Sequence, residues 1–337
     1  MSIHSSLSRR PDSGRRPGND NTSSNPALDD AELDELKRGL MASPAEVSPK
    51  YLYDTVGSKL FETLCLLPEY YPTRTEAAIL RSRLADIARV TSPSAVLIDL
   101  GAGNCAKAEQ LFDALAPSHY VAVDISAEFV RNALRRLRPR HPEIRMKALG
   151  QDFSRGVNLP DDVPTQNRLF FYPGSSLGNF APTEAHRFLA GLRQTTQDKA
   201  SLLLGVDLVK DTRVLNAAYD DALGLTSAFN LNLLRNLNRL LSADFDVRDW
   251  QHQAFFNERH SRIEMYLQAR RDLEVHWDDQ TRHFARGERI HTENSYKYTR
   301  ESLTALLEEA GWKLTDFWTD ESDWFAVLHA QSMPVRA

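Results

Sequence analysis

Residues 95–115, "AVLIDLGAGNCAKAEQLFDAL", decide the fold. A short apolar run ends in two glycines and passes into apolar residues at helical spacing, which reads as strand, tight turn and helix. Gly101 and Gly103 allow the backbone to approach a ligand closely at the point where the helix starts. Gly101, Gly103 and Ala106 also satisfy the pattern G-x-G-x-x-A, so a nicotinamide-dependent dehydrogenase is one reading. Asp99 opposes it, because an acid just before the turn disfavours a pyrophosphate and suits a cofactor bearing a cation. S-Adenosylmethionine carries both an ammonium and a sulfonium, and a methyltransferase is the preferred reading.

The stretches on either side keep the same rhythm. "HYVAVDIS" (119–126) is a second strand ending in Asp124, placed to accept hydrogen bonds from ribose hydroxyls. "EIRMKALGQDFS" (143–154) ends in Asp152 and Phe153, an acid for an adenine amino group and a ring to stack on the base; capping of a turn is the plainer role for Asp152. "RLFFYPGSSLGNF" (168–180) and "ASLLLGVDLVK" (200–210) complete five apolar strands alternating with helices. That alternation predicts a doubly wound, mostly parallel sheet over roughly residues 77–210.

Gly174 to Gly178 spell G-x-S-x-G, the nucleophile elbow of a hydrolase, with Ser176 as the nucleophile. The next helix starts only after Pro182, and no Asp and His pair follows later strands, so the hydrolase ranks below the methyltransferase. In the latter, the same strand end faces the transferring methyl and Asn179 holds the acceptor.

Composition narrows the class. The chain has 337 residues, 42% hydrophobic and 26% charged, with a formal net charge of −5, which gives no general attraction to nucleic acid or anionic membrane. The two cysteines, Cys65 and Cys105, have no CxxC spacing and no His cluster, so neither a disulfide framework nor a metal site is expected, which suits the cytoplasm. No apolar run reaches the roughly 18 residues that span a bilayer. The twin arginine Arg9–Arg10 precedes no apolar region, and residues 1–28 read as a disordered tail. A monomer acting on a small neutral or zwitterionic molecule is the expectation.

Outside the sheet, residues 29–76 read as an amphipathic helix, then tyrosine-bearing loops around a short helix near Leu60 and a Pro-bounded loop at Pro68–Pro72, after which a helix is expected from about Thr75. Residues 211–260 break the rhythm with a helical stretch, and strand-like sequence starts at Arg262. "HTENSYKYT" (291–299), taken as a strand, sets Glu293, Ser295, Lys297 and Thr299 on one face and Thr292, Asn294, Tyr296 and Tyr298 on the other. Both faces are polar. Together with Tyr53, Tyr70 and Tyr219, the Glu293 and Ser295 pair can form a cradle for a small polar molecule, whereas each residue alone reads as packing or exposed strand. The final helix and two strands would bring the sheet to seven strands, and residues 291–337 are assigned to this closing part.

The stretches "SPKYLYDTVGSKLFETLCLLPEYYPTRTE", "LIDLGAGNCAKAEQLFDAL", "PGSSLGNF", "GVDLVKDTRVLNAAYDDALG", "RIEMYL" and "IHTENSYKYT" resemble, in this order, the histidine Nα-methyltransferases of ergothioneine biosynthesis. The resemblance runs from about residue 29 to the C-terminus. It implies a Rossmann-like, seven-stranded class I methyltransferase fold with an added α+β substrate domain made from residues 29–76 and 211–290. It also implies S-adenosylmethionine as cofactor and L-histidine as the small-molecule partner, trimethylated on its α-amino nitrogen to hercynine. By the same resemblance Gly101, Gly103, Lys107, Asp124, Asp152 and Phe153 are cofactor positions. Tyr53, Tyr70, Asn179, Tyr219, Met265, Glu293, Asn294 and Ser295 line the histidine pocket, with Asn179 and Tyr219 on the carboxylate and Glu293 and Ser295 on the imidazole. No dedicated catalytic base is implied: Asn179 and Tyr70 position the amine. An N-methyltransferase for another amino acid or an indole amine is the alternative.

Overall fold

A computed structural model describes residues 30–196, 200–278 and 280–334; the expected N-terminal tail lies outside the described residues. In chain order the strands are β1 (Ala45–Glu46), β2 (Val96–Leu100), β3 (His119–Asp124), β4 (Arg145–Gly150), β5 (Arg168–Tyr172) and β6 (Ser201–Asp207). There follow β7 (Trp250–Asn257), β8 (Arg262–Ala269), β9 (Leu273–Trp277), β10 (Gln280–Phe284), β11 (Arg289–Tyr296), β12 (Trp312–Thr319) and β13 (Phe325–Ser332).

The seven-stranded sheet has the order β12-β13-β6-β5-β2-β3-β4. β2 to β6 pair in parallel, while β13 runs antiparallel to β6 and β12 antiparallel to β13. β2 and β5 are buried at every residue, as expected of parallel strands with helices on both faces. One face packs around Ile98, Phe170, Leu189 and Trp312, the other around Leu97, Leu111, Tyr120 and Phe171. The chain builds outward from β2 through β3 to β4, then returns to lay β5 and β6 on the other side. This topological switch point opens a crevice at the carboxyl ends of β2 and β5, where open α/β sheets bind ligands.

A second layer, with its own core, covers that crevice. Its sheet has the order β1-β11-β8-β7, beside a β9–β10 hairpin. The 17-residue helix Leu225–Leu241 buries Phe229, Leu233, Leu234, Leu237 and Leu241 among residues of the N-terminal segment and of β7, β8 and β11. Its asparagines fasten it there: Asn232 donates to Asp54 and Asn236 to the Tyr51 carbonyl, both at 2.8 Å, and Asn230 donates to the Tyr266 carbonyl of β8 at 3.0 Å.

Three expectations change. The helical stretch ends at Leu241, and Trp250–Asn257 is a strand paired antiparallel with β8, because "WQHQAFFN" presents alternate residues to a sheet partner that sequence periodicity does not reveal. The helix expected from about Thr75 begins at Tyr71, with Pro72 in its first turn, where the missing N–H leaves no bond unmade. The division at 290/291 falls inside β11, which bonds to β1 and β8 rather than to the closing strands of the seven-stranded sheet. The link to that sheet comes just after β11, where Tyr298 N–H donates to the Asp207 carbonyl at the end of β6.

Candidate active site

At the end of β2 the chain turns through Gly101 (φ 75°) and Gly103 (φ 52°), both in the left-handed region that favours glycine. Gly101 and Ala102 N–H groups donate to the Val123 carbonyl of β3, at 2.9 and 3.1 Å, which pins the turn to the neighbouring strand end. A Cβ on Gly101 would stand 3.8 Å from the Phe153 ring, so the bare turn and that ring bound a common space. Asp124 accepts from Gly103 N–H and Ser126 N–H, each at 3.0 Å, and burial raises its pKa. Asp152 does cap a turn: it accepts from Ser154 N–H at 3.0 Å and from Lys50 at 3.3 Å. Burial opposes its ionisation, but these bonds outweigh it and hold the carboxyl below its ordinary range. Lys50 also donates to Glu32 at 3.0 Å, fastening the N-terminal segment to the end of β4.

Asp99 lies beneath the turn, where it accepts from the Tyr120 hydroxyl at 2.7 Å and leaves Oδ1 without a hydrogen-bond partner. Burial pushes its pKa up to about 7. A positive group held over the turn would favour its charged form, and this fits a cationic cofactor better than a pyrophosphate. Lys107 is tied into the crevice by an ion pair with Glu76 at 2.6 Å, and the other Glu76 oxygen accepts from Gly174 N–H at 2.8 Å. Glu76 is 1% exposed and so joins the ends of β2 and β5 from below. Ser176 donates to the Pro173 carbonyl at 3.3 Å, and among the described residues no histidine hydrogen-bonds it, so the base that a serine nucleophile needs is not in place.

The second layer brings the aromatic residues to the mouth of this crevice. Tyr53 packs edge-on against Phe61 and Phe229, each at 5.4 Å between ring centroids, and Tyr70 against Tyr219 at 6.0 Å. Glu293 and Met265 are direct cross-strand partners on β11 and β8, so their side chains share a face. Glu293 is 7% exposed, and among the described residues no group hydrogen-bonds its carboxyl. Burial raises its pKa to about 7 against the pull of Lys297. Burial and then the Glu293 charge push the Tyr53 phenol well above its ordinary value. Ser295 Oγ is 2.9 Å from Tyr219 Oη. Asn179 follows Gly178, whose Cβ, were there one, would lie 2.7 Å from the Tyr296 carbonyl oxygen. That close approach sets the end of β5 against β11.

Asn294 does not join this group. It alternates to the opposite face of β11, where its Oδ1 meets His291 Nε2 at 3.0 Å.

With this geometry established, a model of the SAM-dependent, histidine-specific methyltransferases matches residues 32–332. The chain belongs to this family. It is 41% identical over 306 residues to the histidine N-alpha-methyltransferase of Mycolicibacterium smegmatis, covering 87% of this chain and 92% of that protein. It is 39% identical over 300 residues to the Mycobacterium tuberculosis protein of the same name, with the same 87% and 92% coverage. Ergothioneine biosynthesis protein 1 of Neurospora crassa is 29% identical over 299 residues, 86% of this chain and 33% of that longer protein. The sheet is thus that of a class I methyltransferase, and S-adenosylmethionine is its cofactor. The residues at the turn fit it: Gly101 and Gly103 leave room, Asp124 offers acceptors for hydroxyls, Phe153 offers an apolar face, and Asp99 favours a cation nearby.

The methyltransferase also carries a buried polar cluster that the site residues read from sequence omit. Asp207, at the end of β6, is paired with Lys297 at 2.8 Å and Lys210 at 2.5 Å and accepts from the Tyr71 hydroxyl at 2.8 Å. Burial alone would raise the Asp207 pKa, but the two lysines outweigh it and lower it. Lys297 donates onward to Ser295 at 2.8 Å and Tyr219 at 3.1 Å. A signal for it exists in the sequence, since Lys297 shares a strand face with Glu293 and Ser295, but its partner Asp207 lies 90 residues earlier.

Proposed function

We propose that this enzyme transfers three methyl groups from S-adenosylmethionine to the α-amino nitrogen of L-histidine, giving hercynine, the first step of ergothioneine biosynthesis. One observation carries the choice of acceptor: Glu293, a buried carboxyl with no hydrogen-bond partner among the described residues, stands two residues from Ser295 on one face of β11, at the mouth of the crevice. A carboxylate acceptor beside a hydroxyl suits a ring with one N–H and one bare nitrogen, as in imidazole. Family membership and the mycobacterial relatives of that name support the same reading.

S-Adenosylmethionine supplies an electrophilic methyl group on a sulfonium. The protein's share is positioning: a nucleophile held in line at near-attack distance recovers most of what an unassisted encounter loses to entropy. Asn179 and Tyr219 would hold the carboxylate, and Tyr70 and Asn179 would orient the amine toward the turn. No strong base is needed, because the ammonium proton can leave through a tyrosine hydroxyl or water before attack. Tyrosine faces would accommodate the permanent cation that successive methylations create. Residues 29–76, 211–290 and β11 would form the acceptor half, and residues 77–210 with the last two strands the cofactor half. A cytoplasmic monomer acting apart from nucleic acid and membrane is the working picture, resting on the net charge of −5 and the free cysteines Cys65 and Cys105. Among the described residues no helix is long and apolar enough to cross a membrane.

The test is incubation with S-adenosylmethionine and an equimolar panel of the common amino acids, with each acceptor followed by mass spectrometry. Histidine gaining three methyl groups is the expected result. Methylation of a different amino acid would overturn the roles of Glu293 and Ser295 while leaving the fold and cofactor in place.

A further inference from the structure

Lys297 lies one residue past β11, wholly buried, on the face that carries Glu293 and Ser295. An ammonium has three N–H donors. Three acceptors surround this one: Asp207 at 2.8 Å, Ser295 Oγ at 2.8 Å and Tyr219 Oη at 3.1 Å. Burial works against its charge, but Asp207 and Tyr219 outweigh burial and keep it protonated. Each of the two hydroxyl oxygens therefore already accepts from a cation, and the two also hydrogen-bond each other at 2.9 Å. One proton of the pair is spent between them; where Tyr219 donates it, both lone pairs of Ser295 are filled, by Lys297 and by Tyr219, and what Ser295 has left to offer a ligand is its proton.

We propose that Lys297 is a positioning residue that, with Tyr219, fills the lone pairs of Ser295 and makes it a donor toward the acceptor's ring, so that the pocket selects a neutral imidazole over the doubly protonated imidazolium. The inference rests on the histidine reading above, in which Glu293 and Ser295 face the ring. Glu293 accepts from the one ring N–H, and a hydroxyl donates to the bare nitrogen. An imidazolium has two N–H groups and no lone pair, so one of its protons would meet a hydroxyl proton.

The surrounding charges act in the same direction. Asp207 is shared between Lys297 and Lys210, and it also accepts from Tyr71; burial lowers Lys210 to about 8 against the pull of Asp207 and Asp320, so the cluster behind the hydroxyls gains positive charge as the pH falls from 8 to 5.5. From β7, His252 is 2.9 Å from the Tyr219 carbonyl and steadies the backbone of that residue. Burial lowers its pKa, so it adds no charge near neutral pH. Glu293 is the opposing group: when ionised it favours an imidazolium over a neutral ring, and burial raises it to about 7, so it is mostly protonated at pH 5.5.

Calorimetry with S-adenosylhomocysteine present would compare L-histidine with 3-(1,2,4-triazolyl)alanine, whose ring keeps an N–H and a bare nitrogen but stays neutral at pH 5.5. The ratio of the two dissociation constants cancels the titration of the amino groups, and any pull of an ionised Glu293 on the imidazolium works against the loss expected of histidine. For the wild type, histidine should weaken roughly tenfold relative to the triazole between pH 8 and pH 5.5, because an imidazole of ordinary pKa about 6.5 is then mostly protonated. In Lys297→Met the hydroxyls are free to accept, and the change should shrink to less than about threefold. A wild-type ratio that does not move with pH, or a full tenfold change in Lys297→Met, would overturn the proposal. Should Lys297→Met fail to bind S-adenosylhomocysteine, Ser295→Ala serves instead, and the same flattening is required of it. Failure of the histidine reading looks different: neither ring compound would bind the wild type at pH 8.

Discussion

The cofactor half and the acceptor half of this crevice are built by different means. At the cofactor end, Gly101, Gly103, Asp124 and Asp152 all sit at or just beyond the ends of adjacent strands, and backbone N–H groups satisfy the acids. At the acceptor end, Tyr53, Tyr70, Tyr219, Met265, Glu293 and Ser295 come from five separate stretches of chain, and side chains satisfy side chains. The first arrangement is a property of strand ends and needs few long-range choices. The second depends on a complete tertiary fold, and leaves Glu293 buried without a hydrogen-bond partner among the described residues.

The sharpest way to separate the two halves is Glu293→Ala. Loss of one acceptor for a ring N–H should raise the KM for histidine roughly 10- to 100-fold, leaving S-adenosylhomocysteine binding within about twofold. Parallel loss of both affinities in steady-state kinetics and calorimetry would show that the halves are not separable. Asp124→Ala is the reverse experiment. It should weaken the cofactor about tenfold with little change in histidine affinity at saturating cofactor, and an unchanged cofactor dissociation constant would remove Asp124 from the site.

A stability measurement tests the unpartnered carboxyl directly. Burial raises the folded-state pKa of Glu293 to about 7 from an ordinary 4.5, so between those values the folded protein holds a proton that the unfolded chain has released. The resulting penalty is absent below the ordinary value, grows through that window and is complete above pH 7. Glu293→Gln should therefore melt a few degrees higher than wild type at pH 8, a gain that vanishes below about pH 4, as scanning calorimetry can show. A lower melting temperature at pH 8 would mean that the charge is compensated in the folded protein. The smallest effect belongs to Lys50→Ala. Its partners Glu32 and Asp152 are partly exposed, so cofactor affinity should fall less than about fivefold, and a larger loss would mean that the N-terminal segment does more than cover the site.

How much could be read in advance follows the same division. The apolar run 96–100, the glycines after it and the acids at 124 and 152 are local patterns, and each is found where its spacing places it. Tyr53, Tyr70 and Tyr219 are singly uninformative, since an isolated tyrosine between helices is as often packing as contact. Glu76 shows why the rest was hidden: it is one acid in an ordinary helical stretch, yet it holds Lys107, 31 residues on, and Gly174, 98 residues on. Asn294 shows the converse, for a motif read as a block includes a residue that strand alternation turns away.

By itself the sequence determined the order of strands and helices in the seven-stranded sheet, the bare turn for a cofactor and the polar face on which Glu293, Ser295 and Lys297 alternate, because hydrophobic period and glycine placement act over a few residues. Only the tertiary structure decided that β11 pairs with β8 rather than with the closing strands, that Asp207 meets Lys297, and that Glu293 is left without a hydrogen-bond partner among the described residues. Those outcomes depend on which distant surfaces exclude water together, and no local pattern carries that information.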